Sequence, residues 1–213
     1  MSKGSSKLFN GMTSAARRFG ADKSGLAGIE AAFLLPVAFL MLGLAVFGGE
    51  GLGIQRKTTL AARTIADLVG QTSSTSAVSA SSSATLDQAT LDNYLSLSAL
   101  IVYPYDSSAL QAEVSEIQII AGTSTGVVVW SEPYNGGTAR PVGQVLTLDP
   151  NIVAAGETNL ILAETQYTYS PIGIGEAFGP ITISGTISMI PRSVSCIVLN
   201  PGPASAATQC PSS

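Results

Sequence analysis

The longest pattern in the chain is an unbroken apolar one. Residues 31–49, AAFLLPVAFLMLGLAVFGG, contain no charge over nineteen positions. As a helix rising ~1.5 Å per residue the run covers about 28 Å, close to the hydrocarbon thickness of a bilayer. A core helix of that length carries a polar stripe, and this one carries none. The pattern predicts a transmembrane helix over 26–50. Residues 51–71 then turn amphipathic: Ile54, Ala61, Ile65, Leu68 and Val69 fall near one face, with Arg56, Lys57 and Arg63 elsewhere. That spacing extends the helix beyond the membrane.

A Ser-rich stretch at 72–84 has no packing content and reads as a hinge. Thr85-x-x-Gln88 then forms a capping-box pattern that predicts a helix to about Leu100, with Leu91, Tyr94, Leu95 and Leu97 as its apolar face. Tyr103-Pro104-Tyr105 ends that helix, its aromatic pair expected to fill core. Strand patterns follow at 113–121, 126–130, 160–169 and 180–190, with a turn at Asn135-Gly136-Gly137. Residues 160–169 alternate cleanly: Leu160, Leu162, Glu164, Gln166 and Thr168 share one face, and Ile161, Ala163, Thr165, Tyr167 and Tyr169 the other. The expected fold class is α+β. The helix extension and a second helix back an antiparallel sheet of four or more strands in an exported domain at 85–195, followed by a tail at 196–213.

Charge orients the chain. Lys3, Lys7, Arg17, Arg18 and Lys23 lie within residues 1–25 against Asp22 alone, which keeps that end cytoplasmic and exports the rest. From Gln71 onward Arg140 and Arg192 face ten acids, a net of −8, so nucleic acid is not an expected partner. The run is longer and starts later than a cleaved secretory signal, and it flows into further helix. Cys196 and Cys210 would, in an oxidising compartment, close a loop worth roughly 3 kcal/mol; two free thiols are the alternative.

Chemistry is sparse. The chain has no histidine, which removes Ser–His and Cys–His pairs and the commonest metal ligand. Gly173-x-Gly175 has neither a following helix start nor a lysine, so it does not read as a phosphate loop. Asp87 and Asp92 read as solvated helix positions. Glu113 and Glu116, three apart on a strand, point to opposite faces and make no calcium cage. No catalytic activity, cofactor or metal site is expected.

Glu30 is the residue that needs explaining. A carboxylate just inside an apolar helix costs a few kcal/mol unless it finds a partner, although a place near a helix N-terminus also suits an acid. Lys23-Ser24-Gly25 precedes Leu26-Ala27-Gly28-Ile29-Glu30, so a cut between Gly25 and Leu26 makes Glu30 the fifth residue of the product. The arrangement is similar to the class III signal of type IV pilins and pseudopilins. Residues 17–48, RRFGADKSGLAGIEAAFLLPVAFLMLGLAVFG, resemble the TadE/TadG-like proteins of tight-adherence (Flp) pilus systems. Arg56-Lys57 with AARTIADLVGQ, VVVWSEP at 127–133, YTYSP at 167–171 and MIPR at 189–192 fit the same pattern. Ala31, where that family commonly has an aromatic residue, is a departure.

The resemblance implies a pilin-like fold, a leader at 1–25 removed by a prepilin peptidase, and a span kinked at Pro36. Glu30 would pair with the new amine of a neighbouring pilin or pseudopilin subunit. The implied function is a minor pseudopilin, held by lipid in the bacterial inner membrane beside the pilus assembly platform, with its domain in the periplasm. The alternative is an uncleaved signal-anchored periplasmic binding or envelope-scaffold protein.

Overall fold

A computed structural model describes residues 24–73, 83–153, 158–171, 179–201 and 210. The chain divides into two units, Met1–Gly48 and Gly49–Ser213. Helix α1, Ser24–Gly70, supplies all that is described of the first unit and opens the second. Its 24–48 stretch exposes apolar side chains on every side, among them Phe33, Leu34, Phe39 and Met41. A helix apolar all round is a helix made for a non-aqueous surrounding. The 28–70 stretch meets the length and hydropathy of a membrane span, and the chain is compatible with a single-pass membrane anchor.

The second unit is mixed α+β. After the last turns of α1 come β1 (Ser83–Asp87), α2 (Gln88–Val102), a 3-10 turn at Ser107–Ala109, β2 (Leu110–Ile119) and β3 (Thr125–Tyr134). Then follow β4 (Val145–Thr147), the short α3 (Pro150–Val153), β5 (Asn159–Tyr169), β6 (Ile181–Met189) and β7 (Cys196–Asn200). Five strands make an antiparallel sheet in the order β4-β3-β2-β5-β6, while β1 and β7 pair in parallel.

Period-two alternation gives the sheet two differently used faces. One carries Val114, Trp130, Ile161 and Ala163 against Ile65 and Val69 of α1, Leu91 and Leu95 of α2, and Leu86, Ile197 and Leu199 of the parallel pair. Opposite it, Ile117, Val128 and Leu160 pack with Leu148 and the Ile152–Val153 turn. A bulge separates the two sets: Glu116 pairs with Trp130 and Ile117 with Val128, leaving Val129 as the extra residue.

Backbone approach is close where α1 crosses the sheet. A Cβ on Gly185 would lie 2.9 Å from the Thr59 Cα, so only glycine lets β6 sit there. The Thr165 hydroxyl donates to the Thr58 carbonyl at 2.9 Å, and Lys57 Nζ donates to the Ile101 and Tyr103 carbonyls at the end of α2. The lysine thereby satisfies acceptors that the end of a helix leaves open.

Several expectations change here. Thr85 does not cap a helix; Ser83–Asp87 is a strand, and α2 starts at Gln88 with Asp87 as N-cap and no side-chain cap bond. Its pairing with β7, more than a hundred residues away, overrides the local signal. Ala84, assigned to the hinge, is buried in that strand, while 74–82 lie outside the described residues. Cys196–Asn200, expected at the head of a tail, is a buried strand because Ile197 and Leu199 belong to the main core. Tyr103 is 76% exposed rather than core filler. The alternation of residues 160–169 and the antiparallel sheet hold as expected.

Candidate functional site

The sequence places the candidate chemistry on α1. Gly25 and Glu30 are both exposed on the helix, and a Cβ at Gly25 would meet nothing within 4 Å. Leu26 is helical, so the Gly25–Leu26 bond lies in the first described turn. Among the described residues Glu30 makes no hydrogen bond or ion pair. Pro36 sits inside the helix; lacking an N–H, it leaves the Ala32 carbonyl without its helical donor. Sequence order alone brings these four residues together, along one helix.

Cys196 and Cys210 form a disulfide with Cα atoms 5.9 Å apart. It fastens the first residue of β7, whose neighbour Ile197 enters the most demanding polar site of the molecule. There Glu116 is fully buried, its Oε1 accepting from Asn159 Nδ2 and the Ile197 backbone N–H, each at 2.9 Å. Its Oε2 accepts from Trp130 Nε1 at 2.8 Å, and the same indole N–H lies 2.7 Å from the Ile197 carbonyl oxygen. Burial pushes the Glu116 carboxyl up to about 7, opposed by the hydrogen bonds from Ile197, Asn159 and Trp130. The site ties β2, β3 and β5 to β7.

Glu113 sits on the opposite face, as alternation expects. It accepts from Ser131 Oγ at 2.8 Å, from Ser115 Oγ at 3.1 Å and from the Arg140 backbone N–H at 3.2 Å. The Arg140 guanidinium is shared with Glu164, to which Nε donates at 2.9 Å while Nη2 makes the ion pair. With Gln111, Thr138 and Gln166 these residues line a hollow of 140 Å³. Glu113 spends its acceptors on the arginine and two hydroxyls, so the cluster pins the loop after β3 onto the sheet. Asn135, at φ 50°, starts that loop and donates from Nδ2 to the Leu110 carbonyl at 2.7 Å.

Sequence reading missed both polar clusters of the domain. A signal for the first was present: Leu110, Ala112, Val114 and Glu116 share one alternating face, so the glutamate stands at a core position. Nothing local pointed to Arg140, whose acidic partners Glu113 and Glu164 lie 27 and 24 residues away. Asp87 and Asp92 are exposed, as expected, although Asp87 ends a strand. Gly173 and Gly175 lie outside the described residues. Comparison with family models, curated proteins and solved structures returns no match.

Proposed function

We propose that this chain is a minor pseudopilin of the TadE/TadG-like kind, anchored in the inner membrane and taken into a tight-adherence pilus through its N-terminal helix. The observation that carries the reading is Glu30: an exposed acid four positions after Leu26 and immediately before nineteen uncharged residues. Hydrolysis of the Gly25–Leu26 bond would release a Gly25 carboxylate on the leader and leave a Leu26 ammonium on the helix. That cation has no counterpart in the precursor. In a bundle of such helices, the ammonium of one subunit and Glu30 of the next would neutralise each other, relieving the cost that each charge carries in apolar surroundings. Support also comes from the second unit, where the amphipathic end of α1 packs on an antiparallel sheet.

The test is the mature N-terminus and the fate of a Glu30 variant. Co-expression with a prepilin peptidase, followed by mass spectrometry, is expected to give a chain starting at Leu26. Glu30→Ala is expected to insert in the membrane as before and to be missing from sheared pili. An intact leader in cells that assemble pili normally would overturn the reading in favour of an uncleaved signal anchor.

A further inference from the structure

The chain has six tyrosines, and four of them collect about the same two turns of α1. Tyr169 donates its hydroxyl to Glu50 Oε2 at 2.6 Å. The hydroxyl of Tyr105 lies 2.5 Å from where a Cβ on Gly53 would stand. Tyr167 packs with Ile54 in a small apolar cluster that also takes in Val102 and Leu110. Lys57 holds the Tyr103 carbonyl at 2.6 Å, yet the Tyr103 side chain is 76% exposed, and Leu100, one turn earlier on α2, is 72% exposed.

Residues 50–57 directly follow the uncharged run that ends at Gly49. At ~1.5 Å per residue they start in the lipid headgroups, a zone of about 5–8 Å on each side, and end about 12 Å beyond the run when 31–49 fills the hydrocarbon. Tyrosine is the side chain suited to that zone, with an apolar ring and a hydroxyl that seeks water or a headgroup. Isolated exposed leucines need no explanation, but an exposed Leu–Tyr pair at this level has a medium ready to receive it. Charge does not drive the contact: Arg56 and Lys57 are offset by Glu50 and Asp106, and Lys57, Glu50 and Asp106 already have hydrogen-bond partners. The Glu50 carboxylate also pushes the Tyr169 hydroxyl up to about 12, so that phenol stays a neutral donor at any physiological pH.

We propose that this end of the second unit is a membrane-interface contact, with Tyr103 and Leu100 seated among the lipids of the leaflet that α1 leaves. The inference rests on reading 31–49 as a membrane span and is independent of the pilus.

The test uses the full chain in phosphatidylcholine vesicles containing brominated-chain lipid, with Tyr103→Trp or Leu100→Trp read against the unsubstituted protein. Trp130 is fully buried and gives a constant background. Ser124→Trp, in the exposed turn at the opposite end of β2, is the aqueous reference, and Phe39→Trp reports the span. Tyr103→Trp and Leu100→Trp are expected to be quenched by the lipid at least about twofold more than Ser124→Trp and to emit at shorter wavelength. Added anionic lipid should change neither signal. If Phe39→Trp is quenched while Tyr103→Trp and Leu100→Trp respond only to aqueous acrylamide, the interface contact is wrong and the span stands. Shielding that appears only at high protein-to-lipid ratio would instead assign the patch to a second copy, overturning the lipid contact. An unquenched Phe39→Trp removes the span and the proposal with it.

Discussion

The two stretches of α1 obey one backbone geometry and opposite packing rules. In the first unit, the added Cβ at Gly25, Gly28 or Gly48 meets nothing, and bulky apolar side chains stand exposed. In the second, Ile54, Ala61, Ile65 and Val69 are completely buried, and Gly53 and Gly70 lie against side chains of the fold. Each unit has its own glutamate problem as well. Glu30 is exposed on an apolar helix, whereas Glu116 is sealed in the core with three N–H donors. The two acids differ in where a partner is found. Glu116 is completed by its own chain and therefore serves stability; Glu30 has no such partner among the described residues.

The largest expected loss lies at Glu116. Glu116→Ala leaves the Ile197 N–H and the Asn159 amide without their acceptor, and is expected to cost about 3–5 kcal/mol in denaturant unfolding, the scale of a broken buried charged site. A loss under about 1 kcal/mol would mean that water replaces the carboxylate and that the site does not hold β7.

The same residue sets a pH dependence of nearly equal size. Its folded pKa of about 7 stands above the ordinary glutamate value of 4.5, so between those values the folded protein binds a proton that the unfolded chain releases. The stabilising contribution is complete below pH 4.5 and is lost as pH rises through 7, about 3 kcal/mol across the window. Denaturant midpoints measured from pH 4.5 to 8 should fall accordingly. Glu116→Gln should flatten that slope, and an unchanged slope would place the titrating group elsewhere.

Gly185→Ala is a smaller perturbation, expected to cost about 1–3 kcal/mol because the new methyl must move either helix backbone or β6. Gly28→Ala, in open space on the other stretch, is its control and should leave the thermal midpoint of the second unit where it was. The smallest stability effect belongs to Glu30→Gln: no change in the unfolding of the second unit, combined with loss from assembled pili. A shifted midpoint in that variant would erase the distinction drawn between the two acids.

Much of the fold was legible in the pattern. The apolar run, the buried face of the helix extension and the alternation of residues 160–169 are short-range signals, and the structure uses them as written. The parallel β1–β7 pair was not legible. Its strands are five residues each, lie at opposite ends of the domain and are joined by no turn that announces them. Thr85 and Gln88 gave a local signal that tertiary pairing overruled. Of the candidate site, Gly25, Leu26, Glu30 and Pro36 were visible because their relation is one of spacing along a helix, whereas the Arg140 and Glu116 clusters bring together residues from separate strands and loops.

Relations between neighbours along the chain were readable without the fold: a membrane-length helix with one acid at its start, a basic lead, alternating strands and two nearby cysteines. Long-range packing settles which acid is sealed and which is open, makes Cys196 the start of a core strand, and gathers four tyrosines at one end of the domain. The physical reason is that burial and hydrogen-bond satisfaction are properties of a closed surface. Whether a carboxylate costs or stabilises depends on donors that the fold delivers from far away, in this case from Asn159 and Ile197 to Glu116.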